Sequence, residues 1–307
     1  MADTAPRARR RARLRSQRTL LLLSAPAVVY FLVFHYAALA GNVIAFKDYV
    51  PYQGVWESPW IGFGHFSAMF SDDAFWRAAW NTVAIAGLQI VFFFPLPIAL
   101  AMLLHSLARG SVRTVVQSVV YLPHFISWVI VVALFQQILG STGMLNGMLG
   151  DAGLHTVDVM ADPGSFKPLM VAEIIWKDCG WGTIIFLAAL SQVSEQLYEA
   201  AAMDGAGPWR RFWHVTLPAL RPIVILLLIM RLGDILTVGF EQILLQRDAV
   251  GPEAGEVLDT FVYWQGVMGA DWGYAAAAGL FKGVIGALLV YAANKIAHSM
   301  GEQGVYK

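Results

Sequence analysis

Charged side chains occur inside long apolar stretches of this 307-residue chain. Glu173 and Lys177 are four residues apart and Arg231 and Asp234 are three apart, so each pair can meet on one face of a helix. Charges at membrane depth are costly and usually face a protein interior or a water-filled cavity. Two uses stay open: ion pairs that stabilise a helix bundle, or a polar path for a hydroxyl-rich ligand.

A sugar path would combine these charges with aromatic and amide side chains. Aromatic faces stack on pyranose rings, hydroxyls need donors and acceptors, and Lys and Arg pair well with carboxylates. The candidate path residues are Trp176, Lys177, Trp181, Arg231, Asp234, Glu241, Gln242 and Lys282. No His/Cys/acid cluster has the spacing of metal ligands. The sequence therefore predicts neither a metal site nor a catalytic residue, which disfavours an intramembrane enzyme.

A second polar feature is the unusually long connection at residues 194–219. Strong helix formers over 195–203 precede Asp204-Gly205 and Gly207-Pro208, which indicate a helix end and a turn. Residues 209–215 suit a second short helix, and Leu217-Pro218 a turn into the next span. We expect Glu199 and Asp204 to fix the loop's own geometry through hydrogen bonds. Such a knob is able to dock in a partner's groove.

The elements that carry these residues are predicted from composition. Apolar residues make up 58% of the chain and charged residues 14%, against about 45–50% and 25% in soluble domains. This composition excludes a disordered chain, a disulfide scaffold and a nucleic-acid partner. About 20 apolar residues span a bilayer as a helix. We predict an all-α integral membrane protein with six spans, at 20–46, 78–104, 115–139, 169–193, 220–244 and 274–297.

Basic residues are distributed unequally between the two sides. With the N-terminus inside, the inner segments and helix ends hold fourteen of the twenty-one Lys and Arg, while the outer loops hold four basic and twelve acidic residues. This asymmetry predicts that both termini are cytoplasmic. The apolar stretch after the first arginines is longer than the ~7–15 residues of a signal peptide. The predicted organisation is a basic segment 1–19, a transmembrane domain 20–297 with its inner loop 194–219, and a tail 298–307.

The inner loop carries a motif at fixed spacing. Glu-Ala-Ala-x-x-Asp-Gly-Ala is followed, eight residues later, by Val-x-Leu-Pro, with Val215 where Ile is common. This resembles the signature loop of permease subunits of binding-protein-dependent ABC importers. The matching residues are Glu199, Ala200, Ala201, Asp204, Gly205, Ala206, Leu217 and Pro218.

The resemblance extends over nearly the whole chain. Within the MalF-like superfamily, five segments are similar to the LplB-like branch that serves oligosaccharides and polysaccharide fragments; they lie at 44–49, 121–128, 239–242, 259–263 and 275–282. The tip of one outer loop, at 247–250, departs from the pattern because relatives often carry Asn-Pro there. The implied fold is that of a type I ABC importer permease.

The resemblance also implies a set of partners. They are a second related permease that completes a heterodimer, an ABC ATPase dimer in which the signature loop docks as a coupling helix, and an external solute-binding protein that delivers the oligosaccharide. Glu241 and Gln242 would then be placed to gate the cavity or to meet that protein. The chain has no Gly-x-x-x-x-Gly-Lys-Ser/Thr run, so ATP and Mg would belong to the ATPase and no cofactor to this chain.

Transport by alternating access in a bacterial plasma membrane is the function implied. The remaining alternative is an ion-coupled secondary carrier, in which the acids Glu173, Asp178 and Asp234 would act as relays. That alternative offers no explanation for the loop at 199–218.

Overall fold

A computed structural model describes residues 18–107, 110–302 and 304–306. Within these ranges the chain is helical, apart from turns and one antiparallel bridge between Lys47 and Trp60. The main helices are α1 (Leu22–Phe46), α2 (Gly64–Phe70), α3 (Asp73–Ser106), α4 (Gly110–Tyr121), α5 (Trp128–Leu139), α6 (Pro163–Leu190), α7 (Glu195–Met203), α8 (Pro208–Gly233), α9 (Phe240–Val250), α10 (Leu258–Tyr263) and α11 (Trp272–Ser299). All but the last two residues of the predicted basic segment 1–19 lie outside the described residues.

The described chain has five helical stretches that are long and apolar enough to cross a membrane. Four are the helices α1, α3, α8 and α11, and the fifth, Trp128–Asp151, joins α5 to a following short helix. The pair α6 and α7 passes the same test only together, with a bend of 74° between them. The prediction of an all-helical chain with several membrane spans is confirmed.

Two predicted spans have different boundaries in the structure. The span at 115–139 is divided by a 3-10 turn, Leu122–Phe125, between α4 and α5, because Pro123 has no N–H for a helical hydrogen bond. The span at 220–244 ends as a regular helix at Gly233, and α9 begins only after an irregular segment that contains Gly239 with φ of +111°. Hydropathy alone does not detect either break, since the residues on both sides are apolar.

Helix α3 lies at the centre of the packing. At one end Phe75 and Ala78 pack with α10 and α11. In the middle Ile85 packs with α6 and α9, and at the other end Ala101 and Leu104 pack with α6 and α8. Small residues let neighbouring backbones approach closely. A side chain at Gly180 on α6 would collide with the backbone carbonyl of Val120 on α4.

Helix α1 stands apart from this bundle. None of its most apolar 18-residue window is buried, and side chains such as Leu23 and Phe34 are more than half exposed. Its last turn, Asn42–Phe46, packs against α11 and α2. The apolar surface of α1 is therefore available to lipid or to another transmembrane chain.

Candidate functional site

The loop between α6 and α8 forms an exposed helical knob, defined here as residues 195–216. Helix α7 is followed by a turn in which Gly205 has φ of +74°. The predicted helix over 195–203 and its end at Asp204-Gly205 are confirmed. The turn predicted at Leu217-Pro218 is wrong, because α8 begins at Pro208 and continues through a π-helical stretch, Phe212–Thr216. The wider π turn accommodates the missing N–H of Pro218 inside a continuous helix.

Contacts inside the knob leave its acidic side chains free. Arg211 Nε donates to the Ala206 carbonyl at 2.9 Å, and the hydroxyls of Tyr198 and Thr216 are 3.1 Å apart. Neither Glu199 nor Asp204 makes a side-chain hydrogen bond or ion pair in the described part of the chain, and both are exposed. The expectation that these two carboxylates fix the loop is therefore wrong.

Apolar groups also project from the knob. Met203 is 89% exposed, and Trp209 and Trp213 are about half exposed or more. Ala200 is exposed and Ala201 is half-buried. Exposed large apolar residues next to free carboxylates are typical of a surface that a protein partner covers.

Deep in the bundle, Glu173 joins α6 to α9. Its carboxylate is fully buried and accepts hydrogen bonds from Gln242 Nε2 and Gln246 Nε2, both at 2.8 Å. The ion pair suggested by the spacing of Glu173 and Lys177 does not form. Gln242 is itself fully buried, so in this conformation its amide contacts α6 and does not line an open path.

Among the described residues, Lys177 contacts backbone carbonyls and not an acidic side chain. Its ammonium donates to the carbonyls of His124 at 2.7 Å and Ile126 at 2.5 Å, and it lies 5.5 Å from the centre of the Trp128 ring. These carbonyls belong to the break between α4 and α5, where regular helical partners are absent. The buried lysine therefore caps the broken helix.

An aromatic surface lies beside this cap. The rings of His124 and Trp181 are stacked at 4.4 Å with an interplanar angle of 4°, and His124 Nδ1 is 2.8 Å from Asp178 Oδ1. Trp181 is 47% exposed, which leaves part of the indole available. Trp176 is on another face of α6, where it packs edge-to-face against Phe135. The structure does not bring the two tryptophans together.

The remaining charged candidates surround the junction of α8 and α9. Arg231 donates to Gln89 on α3 and makes no ion pair with Asp234, contrary to the pairing that their spacing suggests. Asp234 and Glu241 are exposed. Lys282 forms an ion pair with Asp259.

A cavity of about 680 Å³ lies between α8 and α11 at this level. Its polar lining includes Asp234, Thr237, Asp259 and Lys282, and the rest is apolar or glycine. The volume is in the range of small-molecule sites. The cavity supplies donors, acceptors and the ion pair of Lys282 with Asp259.

The exposed knob and the polar groups between apolar helices lie within a part of the chain that matches a known family. The model of the binding-protein-dependent transport system inner membrane component matches residues 93–301, which is more than half of the chain. The chain belongs to this family. Its members are inner membrane components of transport systems, and this chain is accordingly a multi-pass membrane protein and a permease subunit.

Similar proteins agree with this assignment. Protein LplB of Bacillus subtilis (strain 168) is 42% identical over 296 residues, covering 96% of this chain and 93% of that protein. The polygalacturonan/rhamnogalacturonan transport system permease protein YteP of the same organism is 41% identical over 291 residues, covering 94% and 91%. In a crystal structure of a bacterial alginate ABC transporter with an alginate pentasaccharide-bound periplasmic protein, one chain is 37% identical, with a TM-score of 0.87 and coverage of 96% and 99%.

The spacing of residues in the sequence does not predict several partners of the permease's polar residues. Gln89, Gln246 and Asp259 each contact a candidate residue from a different helix. Spacing along one helix reveals only neighbours three or four residues apart. A buried amide in an apolar run was the available signal for Gln89 and Gln246.

Proposed function

We propose that this permease imports acidic oligosaccharides or polysaccharide fragments by alternating access, driven by a partner ATPase. The observation that carries the proposal is the knob, in which free carboxylates and exposed aromatic residues surround a glycine-dependent turn. A knob of this kind fits a groove of another protein. The substrate class rests on the similar transporters of polygalacturonan/rhamnogalacturonan and of alginate, both of which are acidic polysaccharides.

We propose that the partner ATPase drives transport through its contact with the knob. Glu199, Ala200, Ala201, Asp204, Gly205 and Ala206 form the docking surface, and Leu217 and Pro218 begin the regular part of α8. Two ATPase subunits bind ATP and Mg, and their closure displaces the knob. The chain supplies no nucleotide site of its own, so it acts as a transporter subunit and performs no covalent chemistry.

The sugar path runs between the aromatic surface of Trp181 and the cavity beside α8. Hydroxyls meet Asp178, Asp234 and Thr237, whose oxygens accept hydrogen bonds. A sugar carboxylate competes with Asp259 for Lys282, because both are carboxylates of the same charge. Lys177 and Gln242 support the walls, since the Lys177 ammonium and the Gln242 amide nitrogen donate to groups of the protein itself.

A second, related permease completes the pathway as a heterodimer. Helix α1 supports this assembly, since its apolar surface leaves the bundle and is free to pack on another transmembrane chain. A solute-binding protein delivers the sugar from outside. We place both termini in the cytoplasm of a bacterium, with the six spans in its inner membrane, because basic residues dominate the inner segments.

An ion-coupled carrier is less well supported. Each of the three acids has other surroundings: Glu173 contacts glutamines, Asp178 contacts His124, and Asp234 lies beside the open cavity. No direct contact joins the three acids within the described chain. The carrier hypothesis also leaves the exposed knob without a function.

Reconstitution tests the proposed function. Both permeases and the ATPase are placed in proteoliposomes with the binding protein outside, and uptake of a labelled galacturonate tetrasaccharide is measured. We expect uptake that requires internal ATP and the binding protein. Uptake driven by a proton or sodium gradient without ATP would overturn the proposal in favour of the carrier.

A further inference from the structure

A small cavity on the outer part of the molecule combines two tryptophans with charged side chains. It has a volume of about 430 Å³ and is lined by Asp73, Trp76, Arg77, Trp80, Asn81 and Glu253. This volume is sufficient for a small ligand. The cavity is separate from the one between α8 and α11, with which it shares no lining residue.

The position of these residues along α3 places them near or beyond the membrane surface. Helix α3 has 34 residues and is therefore about 51 Å long at 1.5 Å per residue. A bilayer core is only about 30 Å thick, so the helix exceeds it by several turns. Trp76, Arg77 and Trp80 lie in the first two turns. In the proposed orientation this end faces outside.

The cavity is preorganised by contacts beneath it. The buried Asn81 side chain donates to the carbonyls of Glu253 at 3.0 Å and Glu256 at 2.9 Å, which ties the outer loop to α3. Trp76 Nε1 donates to the Phe70 carbonyl at 2.9 Å, and the two rings are stacked. A fixed ring loses little conformational freedom when a ligand binds.

The remaining groups are free to bind. Trp80 is 69% exposed and makes no contact with another aromatic ring in the described part of the chain. Arg77 is exposed and has no ion-pair partner among the described residues. An indole face suits the apolar face of a sugar ring, and a guanidinium binds a carboxylate with two parallel hydrogen bonds.

We propose that Trp76, Arg77 and Trp80 form an external subsite for a uronic acid residue, outside the translocation path. The sugar ring stacks on Trp80, its carboxylate pairs with Arg77, and its hydroxyls donate to Asp73 and Glu253. This subsite rests on the proposed function, because it binds the same acidic oligosaccharide. It holds a part of the oligosaccharide that has not yet entered the transporter.

Calorimetry with the assembled transporter tests the subsite. The complete complex is reconstituted in nanodiscs without the binding protein, and a galacturonate tetrasaccharide is titrated. All proteins carry Trp181→Ala, which weakens binding in the path. We expect Trp80→Ala and Arg77→Gln each to weaken the remaining affinity by about tenfold. Trp80→Ala removes the stacking surface, and Arg77→Gln removes the charged hydrogen bonds to the carboxylate.

Trp56→Ala is the matched control. Trp56 is 91% exposed and does not line the cavity, so its removal leaves the affinity unchanged. A neutral tetrasaccharide of galactose is expected to bind more weakly and to be insensitive to Arg77→Gln. Equal affinities for all variants would overturn the subsite and assign the two tryptophans to the lipid interface.

A second measurement separates this proposal from the proposed function. ATP-driven uptake of the same tetrasaccharide is followed with the wild-type complex. Normal uptake with unaltered calorimetry in the Trp80 and Arg77 variants overturns the subsite alone. Absence of uptake in the wild type overturns the proposed function. If the variants weaken only binding of the solute-binding protein to the complex, the surface is a protein contact and the sugar subsite is wrong.

Discussion

The knob and the polar groups between the helices use charge in opposite ways. In the knob, Glu199 and Asp204 are exposed and without partners in the described chain. Between the helices, Glu173 and Lys177 are buried, Glu173 Oε2 accepts hydrogen bonds from two glutamine side chains, and Lys177 donates to backbone carbonyls. Burying a charge without a partner is far more costly than exposing it. The difference suggests that the free charges serve other proteins, whereas the engaged charges maintain the shape of the permease.

The largest expected effect is in the knob. Gly205 has a positive φ that proline cannot adopt. We expect Gly205→Pro to lower ATP-driven uptake and sugar-stimulated ATPase activity by about a hundredfold, from a conformational cost of about 3 kcal/mol. Both activities are measured in proteoliposomes after purification of the intact complex.

Gly207 provides the control for this variant. Its φ is −67° and a Cβ there meets no other group, so Gly207→Ala is expected to transport normally. Normal uptake in an assembled Gly205→Pro complex would remove the contrast between the knob and the buried charges.

The second prediction concerns the lysine cap. Lys177→Met leaves the carbonyls of His124 and Ile126 without a donor, and each charged hydrogen bond contributes about 1.5–3 kcal/mol. We expect uptake of an acidic and of a neutral tetrasaccharide to decline by the same factor, about tenfold. Lys177→Arg is expected to restore part of the activity. A loss confined to the acidic sugar would mean that Lys177 binds substrate directly.

Lys282 should behave differently from Lys177. It borders the cavity and is paired with Asp259. We expect Lys282→Gln to weaken the apparent affinity for the acidic tetrasaccharide about fivefold relative to the neutral one, because about 1 kcal/mol of charge pairing is lost. Asp259→Asn, which frees the lysine, should shift the preference toward the acidic sugar. Equal changes for both sugars would make this pair structural as well.

The smallest effect is expected at Glu173. Glu173→Gln removes the charge and retains an acceptor for Gln242 and Gln246. Uptake should stay within about twofold of the wild type, since one hydrogen bond contributes about 1 kcal/mol or less in such an exchange. An ion-coupled carrier that uses this acid as a relay would lose transport entirely, so the measurement also tests that alternative.

The sequence predicts the helices better than it predicts the contacts between them. Long apolar runs identify α1, α3 and α11 because the bilayer requires helices of about 20 apolar residues. The break after Gly233 and the continuity of α8 through Pro218 depend on backbone geometry that composition does not express. Contacts such as Arg231 with Gln89 join residues far apart in the chain, and no helical periodicity relates them.

The uninterrupted helix from Pro208 to Gly233 has a mechanical consequence. Its 26 residues make a helix about 39 Å long, with the knob at one end and the break beside Asp234 at the other, and it contains the π-helical stretch Phe212–Thr216 and Pro222. Because no loop divides it, one continuous element joins the knob to the cavity, and any bending of that element is expected at these two places. Had the chain turned at Leu217-Pro218, a displacement of the knob would have been absorbed locally.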